Sequence, residues 1–378
     1  MSLNSDKTFY LETPDSSQVK KLIHDWYKQW PQGGIFALVA EQDSNAVEGL
    51  QKHANEASCP LVGAVFPELI VNGELKKQGI LFLRFDEMPP HCIVPISNTT
   101  ISAGYENNIT ASLDLEKEDQ GHSLFMIFDG MIPNIASIID ETYLQIGDAV
   151  HYMGVNAGSE TFQPINCLFD NNTFTDNAVL VMTLNHHNGA FLEHSYTKPD
   201  VSISATTSAG NHISSMDWRP AFDVYKELAS IHYGIEIDNE NFYQNAAHFP
   251  LGIIRMDGEM LVRIPVGLEE DGSIWCVGEI PENSVLTLLK AIPPGSEETV
   301  ESLVKEMKDR PEDTILNFYC AGRRMHLGDS SLTELAGLNN KLDNKNIVGA
   351  LSLGEIGGAK QGGYPLFHNA AIVTIPWK

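Results

Sequence analysis

The chain contains the apolar stretch Ile315-Leu316-Asn317-Phe318-Tyr319-Cys320, which predicts a buried β-strand. After a predicted helix, a second short strand follows at Ile347-Val348-Gly349-Ala350, and the chain then turns at Glu355. Another apolar run, Ala370-Ala371-Ile372-Val373, comes next. This order predicts a β-α-β-β unit, and in α/β proteins the loops that follow the strands are where ligands bind.

The same order of elements occurs twice more, at unequal intervals. One copy begins with the strand at residues 35–40 and reaches Glu68, and the other begins at residues 124–128 and reaches Glu160. Unequal intervals are unlike a solenoid, which keeps a fixed period. The sequence therefore predicts the α/β class, with α+β as the alternative, in which two halves with mixed sheets are built from repeated β-α-β-β units.

A polar, turn-rich stretch in the middle of the chain predicts a domain boundary. Residues 185–217 include Asn185-His186-His187-Asn188-Gly189 and later Gly210-Asn211. Separate sets of predicted strands and helices stand on either side of this stretch. We therefore expect an N-terminal domain over residues 1–200 and a C-terminal domain over residues 201–378.

Periodic apolar residues predict helices beside these strands. An amphipathic helix over residues 16–29 precedes the first strand, and helices at about 44–57 and 134–146 follow the first strands of two copies. Further along the chain, Ser331 and Glu334 have the spacing of a capping box, which predicts that they close the start of a helix.

The composition excludes several classes of partner. The chain has 24 basic and 50 acidic residues and a formal net charge of −26, a field that repels nucleic acid and anionic membranes. No apolar run is long enough for a transmembrane helix, and no signal-peptide pattern is present. The five cysteines are scattered, so neither a disulfide framework nor a metal site is predicted, and no cofactor is expected. We expect a cytoplasmic protein.

The first candidate site is Cys320-Ala321-Gly322-Arg323-Arg324, where a predicted strand ends. Two guanidinium groups beside a thiol can lower the pKa of that thiol and can bind a carboxylate through paired hydrogen bonds. One alternative makes Cys320 a nucleophile with His326 or His368 as its base. The other alternative is a small buried residue followed by surface arginines.

The second candidate set is Gly354-Glu355 and His368-Asn369. Glu355 follows a glycine at a predicted strand end, where it can receive an ammonium group or else cap the next turn. His368 and Asn369 precede the last strand and can add hydrogen bonds, or else form a turn.

The two candidate sets are predicted to meet. The strands at residues 315–320 and 347–351 are joined by helical sequence, and parallel neighbours joined in this way end at the same edge of a sheet. Arg323 would then bind a ligand carboxylate while Glu355 meets an amine. Alternatively, Glu355 holds Arg323 in a buried ion pair.

The sequence resembles the FIST family, with its N- and C-terminal FIST domains, along nearly the whole chain. The resemblance is carried, in this order, by Gly210-Asn211, Arg219-Pro220-Ala221 with Tyr225, Val277-Gly278-Glu279-Ile280-Pro281, Cys320-Ala321-Gly322-Arg323, Gly354-Glu355 and His368-Asn369. It implies a sensor of small ligands such as amino acids, which signals through another protein in trans. A Cys320-dependent enzyme and a ligand-free interaction scaffold stay open as alternatives. The sensor is favoured because no nucleophile has an identifiable base.

Overall fold

The computed structural model describes residues 4–5, 7–96, 121–256, 258–358 and 363–377. Within these ranges the protein has a mixed α/β architecture of four β-sheets with helices packed on them, which confirms the predicted class. Strands are numbered β1–β27 and helices α1–α8 in chain order.

Three segments of the chain each form the centre of one sheet and share one strand order. In each segment the first strand pairs in parallel with the second strand on one side, and antiparallel with the third strand on the other. Segment one consists of β3 (Gly34–Ala40), β4 (Leu61–Phe66) and β7 (Ile80–Phe85). Segment two consists of β9 (His122–Asp129), β10 (His151–Ala157) and β13 (Ala178–Asn185). Segment three consists of β23 (Thr314–Cys320), β24 (Asn346–Ser352) and β27 (Ile372–Trp377).

A short hairpin from each segment pairs with the second strand of a different segment. The hairpin of segment one pairs with β24, that of segment two pairs with β4, and that of segment three pairs with β10. These hairpins are β5 (Leu69–Val71) with β6 (Glu74–Lys76), β11 (Leu168–Asp170) with β12 (Phe174–Thr175), and β25 (Glu355–Gly358) with β26 (Pro365–His368). Strand pairing therefore links residues before and after position 200, and the division into domains 1–200 and 201–378 stays a prediction.

The middle of each second strand is a glycine that lies against the first strand of the same segment. The in-register pairs are Gly63 with Ala37, Gly154 with Met126, and Gly349 with Asn317. A Cβ atom at these glycines would lie 2.2, 2.2 and 1.9 Å from the carbonyl oxygens of the respective partners. The repeated glycine thus has a packing cause, because no side chain fits between these strands. That the three Gly…Glu loops share one backbone shape stays a prediction.

The inner faces of the three sheets meet in one aromatic core. The ring centroid of Phe125 in segment two lies 5.9 Å from that of Phe36 in segment one and 6.3 Å from that of Phe318 in segment three. Trp377 stacks on Phe36 at 5.7 Å. Burying an apolar side chain of this size stabilises a fold by roughly 1.5–3 kcal/mol, so this core joins the segments into one body.

Helices cover the outer faces of these sheets. Those on segment one are α1 (Ser16–Gln29) and α2 (Val47–Ala57), the one on segment two is α3 (Ile135–Ile146), and those on segment three are α6 (Glu298–Met307) and α8 (Ser330–Lys341). The predicted helix over residues 16–29 is confirmed, and it starts where the Asp15 side chain accepts from the backbone N–H groups of Ser17 and Gln18.

The predicted capping box at the start of α8 is wrong. The helix begins at Ser330, and the Ser331 hydroxyl donates to the carbonyl oxygen of Gly328. The Glu334 side chain does not turn back to cap the helix, because it forms an ion pair with Arg323 on the preceding short helix, α7 (Ala321–Leu327).

A fourth, antiparallel sheet is built from residues between segments two and three. Its strands are β15 (Ile203–Ala209), β16 (His212–Met216), β17 (Arg219–Pro220), β18 (Leu251–Ile254), β19 (Met260–Arg263), β20 (Pro265–Leu268), β21 (Ile274–Cys276) and β22 (Val285–Leu288). The helices α4 (Ala221–Tyr233) and α5 (Phe242–Ala246) pack on it. Arg263 joins this sheet to segment three, since its Nη1 donates to the carbonyl oxygen of Phe367 at 2.7 Å.

The remaining strands extend the edges of the three segment sheets. They are β1 (Asn4–Ser5) and β2 (Thr8–Leu11) beside β7, β8 (His91–Pro95) beside β13, and β14 (Phe191–Glu193) beside β27. Among the described residues, no helix has the length and apolar character needed to cross a membrane.

Candidate functional site

Cys320 and Glu355 lie together at one end of the sheet of segment three. The strands β23 and β24 are parallel neighbours, as the prediction required, and pair Cys320 with Ser352 in register. The Ser352 hydroxyl donates to Glu355 Oε1 at 2.6 Å, and the backbone N–H of Ala370 donates to the Cys320 sulfur at 3.0 Å. We call Cys320, Arg323, Glu334, Ser352 and Glu355 the buried polar cluster.

Arg323 is held in this cluster by a bidentate ion pair and is only 1% exposed. Its Nε and Nη2 donate to the two oxygens of Glu334 at 2.8 and 2.7 Å. Nη2 also donates to Thr299 Oγ1 at 2.7 Å, and Nη1 donates to the carbonyl oxygen of His194 at 2.9 Å. Burial lowers the pKa of the Arg323 guanidinium, but the hydrogen bonds and charge of Glu334 raise this pKa more. The acid that holds Arg323 is therefore Glu334, and the ion pair with Glu355 that the sequence left open as an alternative does not form.

Glu355 is fully buried, and burial raises the pKa of its carboxyl group to about 8. Hydrogen bonds from Ser352 and from the backbone N–H of Ala371, at 3.2 Å, lower this pKa but do not offset the burial. The carboxyl group is therefore mostly neutral near pH 7. A neutral carboxyl group attracts an ammonium group far less than a carboxylate does.

The thiol of Cys320 lies in an environment that keeps it protonated. Burial raises the pKa of this thiol well above its usual range, and the Glu355 carboxyl raises it further. Nucleophilic cysteines have lowered pKa values instead. His326 has a pKa lowered to about 4, mainly by burial, and its ring contacts His248 and the carbonyl oxygen of Ile292. These features do not support Cys320 as a nucleophile.

Arg324 is partly exposed and bridges the loops of the other two segments. Its Nη1 donates to Glu68 Oε1 at 2.5 Å, and its Nη2 donates to Glu160 Oε2. Glu68 and Glu160 follow the second strands of segments one and two, as Glu355 follows the second strand of segment three. We call Arg324, Glu68 and Glu160 the rim triad.

A cavity of about 460 Å³ opens beside the rim triad, between the strand ends and the fourth sheet. Its apolar wall consists of Phe162, Ile264, Val266, Val277, Met325 and Leu353. Its polar lining consists of Glu160, Thr161, Cys320, Arg324 and Asn369. Arg324 is the one cationic side chain among the described residues that line it. Small-molecule sites commonly combine an apolar wall with a few placed polar groups.

Asn369 connects the cavity wall to the fourth sheet. In the orientation that satisfies its neighbours, its amide nitrogen donates to the carbonyl oxygens of Val277 at 2.6 Å and Val262 at 3.2 Å. The Asn369 side chain thus ties this part of the cavity wall to the backbone of the fourth-sheet region.

His368 and Gly354 lie outside the cavity lining. His368 is buried, pairs in register with Glu355, and has its ring centroid 5.7 Å from that of His194. A Cβ atom at Gly354 would lie 2.6 Å from the ring of Phe367, so this glycine permits close strand packing.

The structure divides the predicted site residues into two groups. Those that line the cavity are Cys320, Arg324 and Asn369, and those buried outside its lining are Arg323, Gly354, Glu355 and His368. Further cavities, of about 430, 410 and 290 Å³, lie elsewhere, and the described residues that line them include none of these site residues. The sequence marked Glu68 and Glu160 as repeated loop glutamates but did not assign them to the site. It gave no signal for the wall contributed by the fourth sheet.

Comparison with known protein families gives two matches along the chain. The model of the FIST N domain matches residues 35–219, and the model of the FIST C domain matches residues 221–358. These matches include segments one and two, the fourth sheet, and the strands β23 and β24 of segment three. No curated protein matches the chain.

Proposed function

Since the chain belongs to the FIST family, whose domains are associated with sensing and signal transduction, we propose that it senses a small molecule bound in the cavity beside Arg324. The observation that carries this proposal is the cavity of about 460 Å³, with an apolar wall and one arginine among the described residues that line it. Such a cavity suits a ligand that has an apolar body and an anionic end.

An apolar amino acid or a related carboxylate has this chemistry. Its carboxylate would accept hydrogen bonds from Arg324, and its side chain would contact the wall formed by residues such as Ile264 and Leu353. The sequence suggested Arg323 as the residue that binds the ligand carboxylate, and we now propose Arg324 instead. Arg323 is unsuited to it, because moving its guanidinium would leave the Glu334 carboxylate buried without a counter-charge.

The proposal is binding without catalysis. The high pKa of the Cys320 thiol supports this, because a neutral thiol is a poor nucleophile. The thiol then serves as a small, weakly polar part of the cavity lining. A Cys320-dependent enzyme and a ligand-free scaffold become outcomes that the experiment below distinguishes.

The proposed signal passes to another protein in trans, because the cavity mouth carries exposed apolar side chains that a partner can contact. Met325 and Phe162 line the cavity and are 64% and 39% exposed. The proposed location is the cytoplasm. All five cysteines are unpaired, which supports a reducing compartment.

A thermal-shift screen of the twenty amino acids and their deaminated analogues tests the proposal. A ligand at a hundredfold excess over its Kd should stabilise the protein by roughly 2.7 kcal/mol. In Arg324→Met this stabilisation should vanish. The matched control is Arg219→Met. Arg219 lies in β17 of the fourth sheet and forms an exposed ion pair with Glu227, so its removal should leave the ligand-induced stabilisation unchanged.

Each other result has a defined meaning. If no compound shifts the unfolding temperature, the ligand-free scaffold is favoured. If the shift persists in Arg324→Met, the ligand binds elsewhere and the assignment of this cavity is wrong. If mass spectrometry shows that the protein converts the bound compound into a product, the Cys320-dependent enzyme is favoured.

A further inference from the structure

We propose that Glu160 is a displaceable latch: the carboxylate of a bound ligand takes its place on Arg324 and releases the turn at residues 158–162 from the cavity rim. This inference rests on the proposed function, because it names how the same cavity reports that it is occupied. Three features of the rim triad and its surroundings carry it.

The two ion pairs of Arg324 differ in exposure. The Glu68 side chain is 7% exposed, whereas the Glu160 side chain is 39% exposed and lines the cavity. Water competes with an exposed pair far more than with a buried one, so the contact with Glu160 is the weaker of the two. Glu68 therefore anchors the guanidinium on the body while Nη2, which faces Glu160, is available for exchange.

The exchange leaves the charge of the rim unchanged. Arg324 carries one positive charge and is paired with two glutamates. When a ligand carboxylate replaces Glu160 on Nη2, the arginine keeps two anionic partners and the displaced carboxylate moves into water. A ligand without an anionic group cannot replace Glu160 on Arg324, so the contact between these two side chains would remain.

The turn at residues 158–162 depends on this one side-chain contact. Its first residue is fixed by a hydrogen bond from the Gly158 N–H to the carbonyl oxygen of Val65 at 2.9 Å. Beyond that point the described hydrogen bonds are internal to the turn, such as the bond from the Phe162 N–H to the carbonyl oxygen of Ser159 at 3.1 Å. The side-chain hydrogen bond that joins the turn to another element in the described residues is the one between Glu160 and Arg324.

The backbone conformation of Phe162 favours movement of the turn. Its φ of 54° lies in the left-handed region, which a bulky aromatic residue rarely adopts, and the ring lines the cavity. When the latch opens, this backbone can relax and the ring can leave the cavity wall. Ligand binding would then change the apolar surface at the cavity mouth, and a signalling partner can detect that change.

Hydrogen exchange measured by mass spectrometry tests the latch with and without a ligand. In Glu160→Gln without ligand, the peptide covering residues 158–166 should exchange about two- to fivefold faster than in the wild type. The matched control is Glu227→Gln, which removes a carboxylate from an exposed ion pair with Arg219 away from the cavity and should leave this peptide unchanged. L-leucine is the probe ligand, and in the wild type it should accelerate exchange of the same peptide.

The outcomes separate the latch from the proposed function. Unchanged exchange in Glu160→Gln, with an unchanged unfolding temperature, overturns the latch whatever the ligand does. Stabilisation by L-leucine with unchanged or slower exchange of residues 158–166 overturns the latch and leaves the sensor standing. Faster exchange in Glu160→Gln with no binding of L-leucine or any other screened carboxylate supports the latch and counts against the proposed ligand class.

Discussion

Arg323 and Arg324 are neighbours on one short helix, yet they lie in regions with opposite properties. In the buried polar cluster, every guanidinium nitrogen of Arg323 has a partner in the protein interior. At the rim, the Arg324 side chain is 26% exposed and its contact with Glu160 is open to the cavity. An arginine is available to a ligand when water can compete for its existing ion pairs. The adjacent arginine, with the same chemistry, is part of the fold.

Removing the two arginines should give the largest difference between the regions. Arg323→Met leaves the Glu334 carboxylate buried without a counter-charge, and it should lower the free energy of unfolding by roughly 3–5 kcal/mol. Arg324→Met removes the exposed pair with Glu160 and the better-buried pair with Glu68, and because Arg324 is itself 26% exposed it should lower this free energy by less, roughly 1–2 kcal/mol. Urea denaturation at pH 7 measures both values. Equal losses would contradict the distinction between the two regions.

A double substitution separates the ion pair from the packing around it. Glu334→Leu alone should destabilise the protein for the same reason as Arg323→Met, because it leaves a buried charge without its partner. The combination Arg323→Met with Glu334→Leu should recover much of the loss, since no buried charge remains. A loss equal to the sum of the single losses would show that the two side chains act independently.

The buried polar cluster also predicts a pH dependence of the free energy of unfolding. Burial raises the pKa of Glu355 from 4.5 to about 8. Between these two values the folded protein keeps a proton that the unfolded chain releases, so the free energy of unfolding falls as pH rises, by about 1.4 kcal/mol per pH unit. Below 4.5 and above about 8 the Glu355 contribution is constant, because folded and unfolded states carry the same charge there.

Glu355→Gln should remove this slope, and the window from pH 6.5 to 8 is the place to measure it. His326, whose pKa is lowered from 6.5 to about 4, contributes with the opposite sign and only below pH 6.5. Over the chosen window the wild type should lose about 2 kcal/mol relative to Glu355→Gln. Parallel curves for the two proteins would show that Glu355 is ionised in the folded state and that the cluster is more polar than its burial indicates.

Much of the fold could be predicted from the sequence, because strands and helices leave local periodic patterns. The strand at residues 315–320 and the helix at residues 16–29 are read directly from the spacing of apolar residues. The exchange of hairpins between segments could not be predicted, because it depends on pairing between distant strands. Nothing in Leu69-Ile70-Val71 indicates that this short strand pairs with β24 near the other end of the chain.

The candidate site was predicted only in part, for the same reason. Sequence reasoning placed Cys320 and Glu355 at one sheet edge because both follow strands joined by helical sequence. It did not find the partner of Arg323, since Glu334 has the spacing of a capping residue and its reach across to α7 depends on how two helices pack. The partners of Arg324 come from segments one and two, and only the repeated position of Glu68 and Glu160 hinted at them.

The smallest expected effect concerns Tyr196, which lies buried beside Arg323 and Cys320. Its hydroxyl has no hydrogen-bond partner among the described residues, so Tyr196→Phe should leave stability unchanged or raise it by about 1 kcal/mol. The matched control is Tyr225→Phe in the fourth-sheet region, where the buried hydroxyl donates to the carbonyl oxygen of Phe249 at 2.8 Å. That change should lower stability by about 1 kcal/mol, because an acceptor loses its donor in the interior. Urea denaturation of both variants gives the sign of each change in the free energy of unfolding. If Tyr196→Phe destabilises the protein as much as Tyr225→Phe does, the hydroxyl is bound by water, and the buried polar cluster is continuous with the cavity rather than closed off from it.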